Sequence, residues 1–567
     1  MSVGRVIRSA VVALLALSLA ACASLPTTGE VRPGNSGDGA SDESDLTYLA
    51  RGPSDGADPE QIVRGFIDAA ANPADNWDVA RSFLIGPFQE SWKPNAGVTI
   101  DASAERRYAG PTPEADTDET SVRLAIQQSA TIDQNGSYSV ASGAAEVSYE
   151  LKKDDAGQWR IARAPDGILL DARTFAAEDV LRPYPVVYFD ATWTYLVPDV
   201  RWFPKRKNTA SRIVQALVAG APSPWLVESV RTAFTGDVEL GRETVSVDAQ
   251  IAEVDLSQAA LGVDDVTLAR MRTQLERSLA AVGVLQVRLT VNGTELGTSA
   301  APFSSTTVDT RPLVLTEDGF GYLSGSEVSP IDGVSGPIAR FPEPISSITA
   351  SGAASRAIVQ TTGGRVYAVS GEQVDELDSR PGLIRPSLDP YGFTWTVPRT
   401  SPGGVQVWSP AVVSHPLPAF EDAQGISALA VSRDGARVAV ALSVGSQVRI
   451  EVAGIERDAK GEPTGVGRPY FVAGRVSGEV RDLVWLDDRT LGILAEDDGR
   501  PELIEQMVGG PSTTTDTPVA AQAVAPAAPV SNVRLRGDDG ALWMRSGTTW
   551  SSERAGVQVL ATQIDSP

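Results

Sequence analysis

The 567-residue chain has one cysteine, Cys22, and one histidine, His415. A lone thiol closes no internal disulfide, so stability must come from buried cores even in an oxidising compartment. Without a His/Cys cluster, a zinc site built from the usual nitrogen and sulfur ligands is excluded. Ser-His-Asp chemistry would have to run through His415, and no Gly-x-Ser-x-Gly elbow precedes it. No Gly-x-x-x-x-Gly-Lys-Ser/Thr phosphate loop is present, nor an Asp-x-Asp-x-Asp-Gly calcium loop. No cofactor and no metal is therefore expected. Gly363-Gly364 and Gly403-Gly404 read as hairpin turns, and His415, between Ser414 and Pro416, reads as a surface residue. Positive charge is in deficit: 48 Lys and Arg against 72 Asp and Glu leave a net charge of -24. Phosphate backbones need a clustered cationic surface, so no nucleic acid is expected as a partner, and anionic headgroups should repel the chain. The apolar run Ala10 to Leu19 is too short to span a bilayer as a helix, which takes roughly 20 residues.

That run nevertheless carries information. Arg5 and Arg8 precede it and Leu19-Ala20-Ala21-Cys22 closes it. This is the layout of a secretory signal: a positive segment, a short apolar segment, and small residues before the cut. A small-residue site ending on cysteine is similar to the lipobox of bacterial lipoproteins. Residues 1–21 are then the signal peptide, and Cys22 is the attachment residue, an N-palmitoyl and S-diacylglyceryl cysteine. Each buried methylene contributes about 0.8 kcal/mol and one acyl chain holds only marginally, so the two chains of a diacylglyceryl group suit stable anchoring. The mature chain, at about -26 once Arg5 and Arg8 are removed, would sit on the extracytoplasmic face of the cell membrane. An ordinary secretion signal with an incidental cysteine is the competing reading.

The expected organisation is multidomain. Residues 22–57, poor in large apolar residues and rich in Gly, Ser, Asp and Pro, read as the anchor and a flexible tether. Residues 58–170 read as an α+β domain of the NTF2-like kind. Asp58-Pro59-Glu60 starts a helix with Ile62, Val63, Phe66, Ile67 and Ala70 on one face. A short helix carries Trp77, Ala80, Phe83 and Leu84. Strands Ser121–Ile132 and Ser137–Leu151 then flank the turn signal Asn135-Gly136, followed by a short strand at Trp159 and Ile161. Residues 184–297 read as a second α+β domain: a strand at Val186–Phe189, a helix Ala210–Ala219, a helix Trp225–Phe234 and a hairpin within Val245–Leu256. A longer helix with Leu268, Met271, Leu275, Leu279 and Val282, and a strand with Val287, Leu289 and Val291, complete it. Residues 302–567 read as an all-β propeller of about six blades, since short apolar segments recur at a blade-like spacing. The aligned segments are Ser347–Ser351, Ile384–Asp389, Leu429–Gly435, Leu483–Asp488 and Val533–Asp538. Pro511–Pro529, rich in Thr, Ala and Pro, reads as a low-complexity insertion.

Acid pairs are plentiful, at Asp154-Asp155, Asp264-Asp265, Asp497-Asp498 and Asp538-Asp539. A glycosidase needs two carboxylates facing each other across a cleft, whereas adjacent aspartates are turn formers. Trp193, Tyr195, Trp202 and Phe203 crowd beside Arg201, Lys205, Arg206 and Lys207. Two readings stand: a contact surface for a partner or wall glycan, or a core strand followed by a solvated basic loop.

The order of the parts resembles the LpqB family of actinobacterial lipoproteins. The matching stretches are Cys22-Ala23-Ser24-Leu25-Pro26-Thr27-Thr28-Gly29, Pro59-Glu60-Gln61-Ile62-Val63-Arg64-Gly65-Phe66 and Val79-Ala80-Arg81-Ser82-Phe83-Leu84. Residues 184–297 resemble its GerMN domain through Ala216-Leu217-Val218-Ala219-Gly220, Trp225-Leu226, Ala233-Phe234, Val254-Asp255-Leu256-Ser257 and Thr290-Val291-Asn292-Gly293. The resemblance implies no enzyme and no catalytic residue. It implies an accessory to the MtrA–MtrB two-component system, acting on the extracytoplasmic domain of a sensor histidine kinase, with peptidoglycan as the alternative ligand. Among residues, it carries over Cys22. An enzyme using acidic residues in the propeller's central channel is the third reading.

Overall fold

A computed structural model gives the fold. It describes residues 51–111, 114, 116–206, 208–218, 221–234, 236–351, 355–527 and 532–565. Cys22 and most of the expected tether lie outside them.

The first domain opens on the helix Pro59–Ala70. Asp58 accepts from the Gln61 amide at 2.8 Å while the Gln61 side chain accepts from the Asp58 amide at 3.0 Å, a reciprocal cap that satisfies two otherwise orphan donors. Ile62, Val63, Phe66, Ile67 and Ala70 form its buried face. They pack on a sheet built from β1 (Gly97–Asp101), β2 (Arg107–Ala109), β3 (Glu119–Asp133), β4 (Tyr138–Lys153), β5 (Trp159–Arg163) and β6 (Ile168–Asp171), in the order β5-β4-β3-β1-β6 with β2 against β3. Val122, Leu124 and Ile126 alternate inward along β3, the period-two signature of a half-buried strand. Trp92 meets Phe66 edge-on at 5.1 Å. The parallel pairing of β1 with β6 has no counterpart in the expected hairpins.

The second domain has two sheets. β7 (Leu181–Asp190) lies between β8 (Leu196–Pro204) and β9 (Val230–Arg231); β10 (Ser246–Asp248), β11 (Ile251–Leu256), β12 (Gln286–Val291) and β13 (Thr294–Glu295) form the other. The helices Thr209–Val218 and Asp265–Leu279 pack between them and bury Ile213, Val214, Leu217, Met271, Leu275 and Leu279. Asp264 caps the longer helix through the Val266 and Thr267 amides. Its buried Gln274 spans to β7, donating to the Val187 carbonyl at 2.9 Å and accepting from the Ala233 amide at 2.7 Å.

The expected helix Trp225–Phe234 is not one. Leu226, Val230, Ala233 and Phe234 are all buried, and their i, i+4, i+7, i+8 spacing imitates a helical face. The chain instead makes two tight turns, with Leu226 donating to Ser223 and Ser229 to Leu226, and then joins β7 as β9. A short segment behind Pro222 and Pro224, with β-branched Val227, Val230 and Thr232, has little intrinsic reason to be helical.

From Leu313 the chain builds six sheets among the described residues, and each inner strand touches the next around a closed ring. Blade 1 begins at Leu313–Thr316, blade 2 at Ile345–Ser351, blade 3 at Ser387–Leu388, blade 4 at Gly425–Val431, blade 5 at Glu479–Trp485 and blade 6 at Ala521–Ala525. The C-terminus closes the ring. Val559–Leu560 pairs antiparallel with Leu313–Thr316 in blade 1, and Thr562–Asp565 runs parallel to Ile345–Ser351 in blade 2. Two sequence readings are corrected. Pro511–Pro529 is no insertion: Ser512–Asp516, with its β-branched threonines, is the outer strand of blade 5, and small-residue Ala521–Ala525 is the inner strand of blade 6. The segment Val533–Asp538 is therefore the second strand of blade 6, one strand out of step with the other aligned segments.

Val559, Leu560, Ala561 and Ile564 are buried, and full burial of a Val, Leu or Ile side chain contributes roughly 1.5–3 kcal/mol. Deleting residues 559–567 should cost on the order of 5 kcal/mol and uncouple blade 1 from blade 6. Denaturant unfolding followed by circular dichroism would show a lower midpoint; an unchanged midpoint would contradict this closure.

Candidate functional site

The most concentrated polar chemistry outside the blades lies where the second domain meets the propeller. β7 ends at Asp190, which is 1% exposed. Its carboxylate accepts five hydrogen bonds, from the Thr192, Thr194 and Tyr195 amides, the Thr192 hydroxyl and the Tyr391 hydroxyl, at 2.6–2.8 Å. The first four shape the β7–β8 turn. The fifth comes from the first turn of blade 3, 201 residues away. Tyr391 is itself framed: Tyr195 meets it edge-on at 5.8 Å, and Arg457, paired with buried Asp389 at 2.7 Å, lies 4.6 Å from its ring centre. Burial first, then the Asp190 charge, pushes the Tyr391 hydroxyl well above the usual tyrosine range. Beside this contact Trp225 stacks on Phe471 of blade 4 at 5.5 Å. Ser229 leaves no room for a Cβ at Gly454.

A second junction joins all three domains along β8. The Trp202 amide donates to the Gly136 carbonyl at 2.8 Å and its indole to Gly509 of blade 5 at 2.7 Å. Its ring lies 4.4 Å from Phe175. Gly136 has φ +81°, and a Cβ there would come within 2.8 Å of the Trp202 carbonyl oxygen. Arg475 of blade 4 reaches Ser142 on β4 at 2.7 Å.

These junctions absorb the aromatic and basic segment. Trp202 and Phe203 are core residues of β8, and Arg201 is buried against Asp199 at 2.7 Å. The basic loop that follows is only partly solvated: Arg206 lies 4.0 Å over the Trp77 ring and donates to the Pro73 carbonyl, both in the first domain, while Lys205 is exposed. Lys207 lies outside the described residues. Trp193 packs under Arg270 at 4.1 Å. Trp202 and Arg206 thus make contacts within the chain, to the first domain and the propeller. Asp190 and Tyr391 were not singled out from sequence; an Asp-x-Thr turn and an Asp-Pro-Tyr-Gly turn are their local signals, and neither reveals the partner.

The propeller's axis offers little room. A cavity of about 40 Å³ remains, lined among others by Arg385, Arg433, Trp485 and Gln563. Behind Arg385 lies Asp482: Arg385 grips both of its carboxylate oxygens at 2.9 and 3.0 Å while the Leu483 and Val524 amides each donate at 2.9 Å. Burial still raises its pKa. Burial lowers that of Arg433 to about 10. The terminal strand Thr562–Asp565 runs inside Ile345–Ser351, and its Thr562, Gln563 and Ile564 line this cavity. The acid pairs are local devices: Asp154 accepts from the Ala156 and Gln158 amides, Asp264 caps a helix, and Asp539 accepts from the Ala541 amide. His415 sits half-buried on the outer strand of blade 3, its Nε2 3.0 Å from the Pro463 carbonyl. No group of three or more His, Cys, Asp or Glu side chains among the described residues could hold a metal ion. No helix among them is long and apolar enough to cross a membrane.

Comparison with known proteins agrees with this architecture. Residues 52–176 match the family described as "Lipoprotein LpqB, N-terminal domain" and residues 318–560 match "Lipoprotein LpqB beta-propeller domain". The chain belongs to the LpqB lipoprotein family. Residues 186–297, the second domain, match "Sporulation and spore germination". Lipoprotein LpqB of Cutibacterium acnes is 30% identical over 46% of this chain and 44% of its own length, and that of Thermobifida fusca 33% over 43% and 41%. The chain thus spans less than half the length of these relatives. Lipoprotein LpqB of Mycobacterium bovis is 25% identical over 95% of both chains. A solved nidogen/laminin complex aligns with a TM-score of 0.33 at 9% identity, over 44% of this chain and 96% of that one. In LpqB terms, the two LpqB domains and the domain between them meet at Asp190 and Trp202.

Two substitutions test this joint. Tyr391→Phe removes one hydrogen bond to a buried carboxylate and should lower stability by about 1.5–3 kcal/mol, read by urea unfolding. The tyrosine pKa is raised by folding, so its contribution is fully present below about pH 10, the ordinary value, and is lost as pH rises beyond it. Above pH 10 the wild type should lose stability faster than Tyr391→Phe. Gly136→Ala adds a Cβ to a left-handed residue against β8 and should cost at least about 1–2 kcal/mol. Limited proteolysis should then cut first around residues 204–210; an unchanged pattern would mean that the joint tolerates the methyl group.

Proposed function

We propose that this LpqB family member is a membrane-anchored, extracytoplasmic, non-catalytic lipoprotein. It is attached through Cys22 and binds the extracytoplasmic domain of an MtrB-like sensor histidine kinase, favouring one signalling state. The observation that supports this reading best is the locked joint: three domains bound by Asp190, Tyr391, Trp202 and Gly136 form a broad preorganised surface rather than a string of swinging modules. A binder shifts an equilibrium between two states only by its difference in affinity for them. A preorganised surface makes that difference larger, because misfit in one state is relieved less easily. The small cavity between the blades, lined by Thr562, Gln563 and Ile564, favours a binding role over a channel enzyme. Relatives named as lipoproteins support the anchor, and the attached lipid, rather than surface charge, would hold so acidic a protein at a membrane.

Crosslinking in intact cells, affinity recovery and mass spectrometry test the proposal, with Cys22→Ala as control. The expected result is a sensor kinase's extracytoplasmic segment crosslinked to wild type and lost in Cys22→Ala, which should also leave the membrane fraction. Recovery of peptidoglycan fragments without the kinase would transfer the function to wall binding by the second domain.

A further inference from the structure

Lysine is scarce in this chain: six lysines stand against 42 arginines. Three of the six, Lys93, Lys152 and Lys153, line one open groove of about 850 Å³ in the first domain, together with Arg163. The volume lies within the roughly 300–1,000 Å³ of ligand clefts. Its floor is apolar, with Ile85, Phe88 and Ala164 half-buried. Lys152 and Lys153 pair outward with Glu119 at 2.7 Å and Asp118 at 3.4 Å, carboxylates that are 69% and 81% exposed. Lys93 and Arg163 are exposed and make no ion pair among the described residues. The one acid in the lining, Asp166, is engaged by the Lys93 amide at 2.9 Å, and Gly167 donates to the Lys93 carbonyl at 2.8 Å, which fixes that wall. A wide cleft with an apolar floor and unneutralised cations on its rim, in a protein of net charge -24, runs against the field of the rest of the molecule.

We infer that this groove is a docking site for an acidic peptide segment of a protein partner, with Asp or Glu side chains meeting Lys93 and Arg163 and apolar side chains resting on Phe88. Charge complementarity selects the acid. The apolar floor favours a peptide over a bare polyanion, because a polyanion leaves that floor wet. The inference stands whether or not the partner is a kinase.

The test uses the full-length protein in a non-ionic detergent. The probe is a fluorescein-labelled peptide, Gly-Leu-Asp-Glu-Phe-Asp-Glu-Leu, beside its amide counterpart with Asn and Gln in place of the acids. Fluorescence anisotropy should show saturable binding of the acidic peptide only, weakening as salt shortens the Debye length. The double variant Lys93→Glu/Arg163→Glu, at exposed side chains without ion-pair partners, should bind at least tenfold more weakly with an unchanged circular dichroism spectrum. Lys460→Glu, in a blade 4 turn, should bind as wild type. Absent saturation, or equal affinity in the double variant, would overturn the inference. So would binding of soluble short-chain phosphatidylglycerol in place of the peptide, lost in the same variant, since the groove would then serve a lipid headgroup.

Discussion

The placement of the second domain on the propeller depends on one buried carboxylate. Asp190 gives up its hydration to accept five protein donors. A buried charge is tolerated only when such donors replace water. Four come from its own turn and would satisfy it in an isolated domain. The fifth, from Tyr391, is added by docking and holds the blade 3 turn against the β7–β8 turn. Arg457 beneath the Tyr391 ring extends the network to Asp389, whose carboxylate also accepts from the Tyr391 and Phe393 amides. Charge-assisted bonds of this kind are short and directional, so they set an orientation as well as a contact. Trp225 on Phe471 and Ala436 within the second domain's core then supply the apolar burial that direction alone does not.

The same economy of parts closes the ring. A propeller whose last blade merely abuts the first has an edge that can open. Here the C-terminal segment is the inner strand of blade 1 and then a further strand inside blade 2, so opening the ring breaks hydrogen bonds on two blades together. The same segment lines the small cavity between the blades through Thr562, Gln563 and Ile564.

Much of the local structure was legible because its signals are local. Asp58 and Asp264 cap helices by side-chain geometry that the sequence displays; Asn135-Gly136 makes a turn wherever it occurs between strands; Leu268, Met271, Leu275 and Leu279 need only the helix period. What was illegible depends on distant partners. Leu226, Val230, Ala233 and Phe234 carry a helical spacing, yet the chain turns because Trp225 and Ser229 are docked on blade 4. The threonines and alanines of Pro511–Pro529 look like low complexity until two neighbouring blades require an outer and an inner strand there. Trp202 and Arg206 look like a partner surface because they are one, for the first domain and, through the Trp202 indole, for the propeller of the same chain.

Charge is distributed by residue type as well as by sign. Arginine does the internal work: Arg201 with Asp199, Arg437 with Asp434, Arg457 with Asp389 and Arg385 with Asp482 are pairs within the fold. A planar guanidinium can satisfy a carboxylate with two parallel bonds and give up water at less cost than an ammonium. Arginines so committed hold neighbouring blades and turns together and leave acids to dominate the outside. Lysine, compact and strongly hydrated, is poorly suited to such pairs and is left for solvent. That division makes a cluster of lysines informative in this chain where it would mean little in a lysine-rich one.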